Sequence, residues 1–221
     1  VEKCVVVLSG GPDSTTVAYW AKDKGYDVHA ITFNYGQIAN KEIDHAVRIA
    51  REIGVTHKVV DLSALKGIYA GVTSLIDESV RMTPNFSQPI IVPFRNGVFL
   101  SVVVAYAASI GASMILYGAQ GSDEPYYPDC REEFYKAFEK AARLGTEQPM
   151  VIDAPFSSMT KSEMLKKGLE LNVPFHLTWS CYLNGSKHCG RCESCINRKM
   201  AFMEAGIPDP TDYEDSSKPE I

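Results

Sequence analysis

Cys4-Val5-Val6-Val7-Leu8-Ser9-Gly10-Gly11-Pro12-Asp13-Ser14 is the stretch on which the fold turns. Its first half is a continuous apolar, β-branched run, the pattern of a strand buried on both faces of a parallel sheet. Its second half is a glycine turn opening onto a helix over 14–24, with Val17, Ala18, Trp20 and Ala21 facing inward. Gly10 and Gly11 allow positive φ and a close backbone approach. The helix start offers unpaired N–H groups and the positive end of its dipole, which together make an anion site. Ser9, Ser14, Thr15 and Thr16 add hydroxyl donors, while Asp13 either caps the helix or helps to hold Mg2+. There is no Walker A lysine, which argues against an ordinary kinase or GTPase.

Outward from this loop, strands and helices alternate. Strands are predicted over 28–33, 57–60, 113–117 and 150–153, and helices over 41–53, 96–111, 132–144 and 161–172. Ile43, Ala46, Val47, Ala50 and Ile53 recur at helical spacing in the second helix. The order predicts an α/β fold with an open, doubly wound, mostly parallel sheet of Rossmann-like type. Residues 65–89 break the pattern and read as an excursion, a candidate lid over the site. The tail after Ile207 reads as solvated or loosely docked.

Six cysteines divide by position. Cys4 and Cys130 are isolated and read as core thiols, whereas Cys181-x7-Cys189-x2-Cys192-x2-Cys195 supplies four thiolates within fifteen residues. Four tetrahedral sulfurs suit a structural Zn2+. The rival is an iron–sulfur cluster, which the lack of a following Cys-Pro disfavours. His188 is a competing ligand, and Lys187, Arg191 and Arg198 are placed to offset the charge of such a centre. Residues 1–175 are expected to form the nucleotide domain and residues 176–221 a small metal-binding region.

Composition is that of a soluble globular protein, 45% hydrophobic and 22% charged. A net charge of −5 argues against general nucleic-acid binding. The most apolar segment, 97–109, is shorter than the roughly 20 residues that a membrane span needs. The start of the chain does not read as a signal peptide. Expected partners are therefore small molecules, in the cytoplasm, with no nucleic acid or membrane. A homodimer stays open, because Phe99 and Tyr106 suit either a core or an interface.

Ser9-Gly-Gly-Pro-Asp-Ser14 resembles the PP-loop of the N-type ATP pyrophosphatases, whose sheet is of the adenine nucleotide α-hydrolase type. With the cysteine cluster, segments 32–37, 92–96, 127–134 and 160–163 make the chain resemble the 7-cyano-7-deazaguanine synthase family of queuosine and archaeosine biosynthesis. That resemblance implies conversion of 7-carboxy-7-deazaguanine, ATP and ammonia into the nitrile, through an adenylated carboxylate and an amide. Ser14, Asp13, Lys161 and Arg95 are the candidate catalytic residues. Leu8, Ser9, Gly10, Gly11, Pro12, Asp13, Ser14, Thr15, Thr16, Phe33 and Gly118 are expected around the nucleotide. Arg95, Asn96, Asp123, Tyr127, Asp129 and Arg131 are expected around the second substrate. The chain departs from the family pattern at Asn34, Phe94, Tyr126 and 120–123, where a Glu for a guanine-like edge is missing. The alternatives are a tRNA-thiolating PP-loop enzyme, a ligase for another carboxylate, and a non-catalytic nucleotide-sensing zinc module.

Overall fold

Val5 faces one side of the sheet and Cys4 and Val6 the other, all three without solvent contact. A strand covered on both faces belongs to a sheet packed between two layers, and pairing along both of its edges puts it in the middle. This strand, β1 (Lys3–Val7), is central in the computed structural model, which describes residues 1–81, 90–119, 121, 125 and 127–219. There follow α1 (Pro12–Asp23), β2 (Asp27–Asn34), α2 (Lys41–Ile53), β3 (Thr56–Asp61), a short α3 (Lys66–Tyr69) and α4 (Arg95–Ile110). The chain continues with β4 (Met114–Leu116), α5 (Glu132–Thr146), β5 (Val151–Asp153), α6 (Lys161–Glu170) and α7 (Glu193–Ala205).

The strands are parallel in the order β3-β2-β1-β4-β5. The order reverses between β1 and β4, and open sheets of this kind bind ligands in the crevice at that point. Phe99, Leu100, Val103 and Tyr135 from α4 and α5 pack on one face. Val17, Ile49, Met164 and Phe202 from α1, α2, α6 and α7 pack on the other. Each fully buried aliphatic or aromatic side chain contributes about 1.5–3 kcal/mol, so these two layers hold the fold. Phe99 is thus a core residue, and Tyr106 lies half-buried against the same layer.

Helix ends follow their local chemistry. Gly54 and Gly111 end α2 and α4 in the left-handed conformation. Thr160 and Glu163 form a reciprocal capping box on α6. Helix α1 starts two residues before the expected point, with Gly11 as N-cap and Pro12 first, because proline's fixed φ suits that position. Asp13 is therefore inside the first turn, which corrects the expectation that it caps the helix. In the excursion after β3, Tyr69 and Ile76 bury themselves in the first apolar layer; residues 82–89 lie outside the described residues.

Of the two readings of the tail, the structure shows the docked one. His188 and Tyr213 form a parallel bridge, with the Glu214 N–H donating to the His188 carbonyl at 2.8 Å. The Lys199 ammonium ties the Gly190 and Asp215 carbonyls together at 2.9 and 2.6 Å. Gly190 has φ +78, and a Cβ there would fall 2.0 Å from the Asp215 carbonyl oxygen. Gly190→Ala is therefore expected to cost about 1–3 kcal/mol in unfolding free energy and to expose the chain beyond Ile207 to proteases. A variant as protected as the parent would refute the docking.

Candidate active site

The loop after β1 is braced from inside. The Ser9 N–H donates to Ser14 Oγ at 3.1 Å, the two hydroxyl oxygens lie 3.0 Å apart, and Ser14 Oγ donates to the Gly11 carbonyl. Gly10 has φ +89, and a Cβ on it would meet the Glu42 carbonyl oxygen at 2.3 Å. Only glycine lets the loop lie against the first turn of α2 in this way. Gly118, just past β4, is as constrained: its Cβ would fall 2.9 Å from the Ser14 nitrogen. Phosphate loop and switch point thus touch backbone to backbone.

A cavity of about 280 Å3 opens in front of the loop. First-turn residues of five helices line it: Asp13 and Ser14 of α1, Glu42 of α2, Arg95 and Asn96 of α4, Lys161 of α6, and Ser194 of α7. Helix N-termini carry unpaired N–H groups and partial positive charge, so the cavity is built for anions. Lys161 Nζ pairs with Asp13 Oδ2 at 3.4 Å. The Arg95 guanidinium lies 5.8 and 5.9 Å from the centres of the Tyr35 and Phe99 rings. Burial works against its charge, and Tyr35, Asp129 and Cys130 restore it. Arg95 Nε is buried with no hydrogen-bond partner among the described residues, a donor left for a ligand. Asp129 Oδ2 accepts the Asn96 N–H at 2.9 Å and so fixes the start of α4. Burial pushes the Glu42 carboxyl up to about 7, against the lowering effects of Gln37 and Arg95.

A family model described as queuosine biosynthesis protein QueC matches residues 3–206 of this chain. The chain belongs to that family. Two relatives carry the name 7-cyano-7-deazaguanine synthase. The Thermoplasma acidophilum protein is 43% identical over 220 residues, spanning 96% of this chain and 92% of its own length. The Caldicellulosiruptor bescii protein is 42% identical over 215 residues, spanning 96% and 97%. The solved structure of NMN synthetase from Francisella tularensis resembles this one with a TM-score of 0.56 at 16% identity, covering 94% of this chain and 78% of that one. The last likeness shows a shared fold.

In this QueC family member the four cysteines Cys181, Cys189, Cys192 and Cys195 are buried, with their sulfurs all within 4.8 Å of one another. The Leu183 and Cys189 N–H groups donate to Cys181 Sγ at 3.4 Å, and the Cys192 N–H to Cys189 Sγ at 3.2 Å. Such amide donors stabilise thiolates, and the group could hold a metal ion. His188 is otherwise engaged. Its Nε2 accepts the Ser180 N–H at 3.0 Å, its ring packs 4.3 Å from Trp179, and burial lowers its pKa to about 4. Arg198 is 1% exposed and donates to Thr178, Ser180, Thr211 and the Phe175 carbonyl. Lys187 instead pairs with Asp212 on the tail, and Arg191 is exposed. The cluster reaches the cavity through Trp179, whose N–H donates to the Gly10 carbonyl and whose indole N–H donates to the Cys181 carbonyl, both at 2.8 Å.

The structure brings most of the expected residues together. Ser9, Gly11, Pro12, Asp13, Ser14, Arg95, Asn96, Gly118, Tyr127, Asp129 and Lys161 line the cavity. Others do not. The Thr15 and Thr16 hydroxyls turn back to the Gly11 and Pro12 carbonyls at 2.7 and 2.8 Å, so both fully buried side chains serve the helix. Leu8 is core, with its carbonyl taken by Thr32 Oγ1. Gly10 acts by packing on α2. Phe33 is stacked 4.3 Å from Phe99, behind the wall. Arg131 is exposed at the start of α5. Gln120, Ser122, Asp123 and Tyr126 lie outside the described residues. Phe94 takes φ +57, a strained place for a side chain, and its ring fills the space over Gly97. Tyr35, Glu42, Tyr117 and Tyr182 also line the cavity and were not foreseen.

Glu42 gives a test of this geometry. Its ordinary value of 4.5 applies in the unfolded chain, and its folded value is about 7. Stability therefore falls as pH rises between these values and stays reduced above them. Glu42→Gln is expected to melt above the parent at pH higher than about 7, with the difference vanishing below about 4.5. Thermal melts across that window check it, and a pH-independent difference would refute the raised titration of this half-buried carboxyl.

Proposed function

We propose that the chain joins 7-carboxy-7-deazaguanine, ATP and ammonia into 7-cyano-7-deazaguanine through an adenylated carboxylate and an amide. The carrying observation is one cavity in which the Ser9–Ser14 loop faces Arg95 and Lys161 among the first turns of five helices. Adenylation brings a carboxylate up to a phosphate, so the enzyme's task is chiefly to stabilise negative charge. The N–H groups at the start of α1 grip the leaving pyrophosphate, and Lys161 exchanges its Asp13 partner for a phosphate oxygen. Asp13 would then be placed to hold Mg2+, which would supply further neutralisation of the phosphates. Arg95 meets the carboxylate or α-phosphate. The faces of Tyr35, Tyr117 and Tyr127 and the Asn96–Asp129 pair suit a flat, polar-edged ring.

For the cysteine cluster we propose Zn2+. Bonds of about 2.3 Å in a tetrahedron separate sulfurs by about 3.8 Å, and the Cys189–Cys195 and Cys181–Cys192 sulfurs lie 3.9 and 4.0 Å apart. A four-iron cluster, with an iron at each cube corner between the ligands, would spread the thiolates further. We also propose the division at 175/176, with the metal region bracing the nucleotide domain. Partners are small molecules and the site of action is the cytoplasm, in keeping with free thiols. No helix among the described residues is long and apolar enough to cross a membrane.

With 7-carboxy-7-deazaguanine, ammonium and ATP, the chain is expected to form nitrile, AMP and pyrophosphate. Lys161→Met should slow this roughly 100-fold or more. Turnover only with a different acid would overturn the substrate. Metal analysis is expected to give one zinc per chain without iron or sulfide, and stripping it should lower the melting temperature. Iron with sulfide would end the zinc assignment.

A further inference from the structure

The segment Thr32-Phe33-Asn34-Tyr35-Gly36-Gln37 bonds to the entry of the phosphate loop through Thr32 and the Leu8 carbonyl, and beyond that contact it builds a defined device. Gln37 is 2% exposed and its amide is locked. Its Oε1 accepts the Tyr35 N–H at 2.8 Å, while its Nε2 donates to the Phe33 carbonyl at 3.1 Å and to Glu42 Oε1 at 2.8 Å. Flipping the amide would set its N–H against the Tyr35 N–H, so Gln37 always presents a donor to Glu42. Any proton on Glu42 therefore sits on Oε2. Gly10 lies against the Glu42 main-chain carbonyl, which seats the start of α2 on the phosphate loop, Gln37 holds the carboxyl itself, and Glu42 lines the same cavity.

Resting on the reaction proposed above, we propose that Glu42 accepts the protons lost from the substrate nitrogen, with Gln37 as its positioning residue. When ammonia attacks the adenylated carboxyl carbon, the C–N bond forms, AMP leaves with the former carboxylate oxygen, and one N–H proton passes to Glu42. In the second round the amide oxygen attacks the α-phosphorus of ATP and pyrophosphate leaves. Two N–H protons then depart as the C–O bond to AMP breaks, leaving C≡N. Each proton goes from nitrogen to Glu42 and on to solvent, and no oxidant or reductant is needed. The titratable and charged groups acting on Glu42 are Tyr35, at the end of β2, and Arg95, on α4. Packing does not account for this carboxyl, because burying one costs stability, whereas a base titrating near neutrality is well matched to proton transfer.

The test separates the half-reactions. Acid-dependent exchange of pyrophosphate into ATP reads adenylation; amide and nitrile formation at fixed free-ammonia concentration reads the nitrogen steps. Glu42→Gln is expected to slow the nitrogen steps by roughly 100-fold or more and exchange by far less. Gln37→Met removes a hydrogen bond that favours the carboxylate, so the pH at which amide formation reaches half its maximum should move upwards. Nitrogen steps at the parental rate, or an equal fall in both half-reactions, overturns the role of Glu42. An unmoved profile overturns that of Gln37. A parent that makes no nitrile brings down the substrate and this inference together, whereas a working parent beside an equally active variant removes this inference alone.

Discussion

Five helices begin at one cavity, and their crowded positive ends favour an anion between them. The crowding is forced by topology. In a parallel sheet each helix that follows a strand starts near that strand's C-terminal edge, which places α1, α2, α4 and α6. The reversal between β1 and β4 opens that edge into a crevice, and the cysteine cluster brings the start of α7 to it. The chain's own carboxylates partly fill the role. Asp129 accepts the Asn96 N–H, Asp13 sits in the first turn of α1 beside Lys161, and Glu42 sits in the first turn of α2. Each is a weak substitute for a triphosphate, whose several oxygens can serve many donors at once.

The cysteine cluster belongs to the same constraint. Gly10 is clamped between two neighbours, its carbonyl taken by the Trp179 N–H and its Cα against the Glu42 carbonyl. Trp179 is in turn tied to the Cys181 carbonyl through its indole and flanked by the His45 and His188 rings. Behind it Arg198 gathers Phe175, Thr178 and Ser180, the residues leading from α6 into the cluster. A shift of the four sulfurs would move this strip and so the loop. The cysteine cluster and the glycine loop are mechanically one object, although they are separated by some 170 residues of sequence.

What was legible in the sequence was what is local. The buried run at 4–8, the glycine turn and the cysteine spacing each determine their structure within a dozen residues, so loop, sheet type and cluster followed directly. Arg95, Asn96 and Lys161 were found because they stand at helix starts in recognisable segments. Glu42 was not read as a cavity residue because an acid in the first turn of an amphipathic helix normally faces water, whereas here it is half-buried, bonded to Gln37 and part of the cavity lining. Thr15 and Thr16 were over-read for the opposite reason: a hydroxyl near a phosphate loop looks like a ligand donor, but inside a buried helix it bonds the preceding turn. Docking of the tail stayed open beside solvation, since prolines and acids read as solvated, while its hold on the cluster is made by backbone groups and by distant Lys187, Arg198 and Lys199.

The proposed chemistry places a further demand on this geometry. The amide is product of one activation and substrate of the next, and in both an oxygen on the same carbon must meet the α-phosphorus. The phosphate side of the cavity is fixed by the loop and by backbone contacts at Gly10 and Gly118, so the oxygen has one approach. The nitrogen must then lie on the same side of that carbon in both rounds, away from the phosphates. A single proton acceptor held rigidly against the loop can thus serve amidation and dehydration alike. It must also be neutral for part of the time, because a permanently charged carboxylate beside incoming phosphates would repel them. Desolvation raises the charge cost, and the donor from Gln37 and the Arg95 guanidinium limit it, which together leave Glu42 poised between its two states.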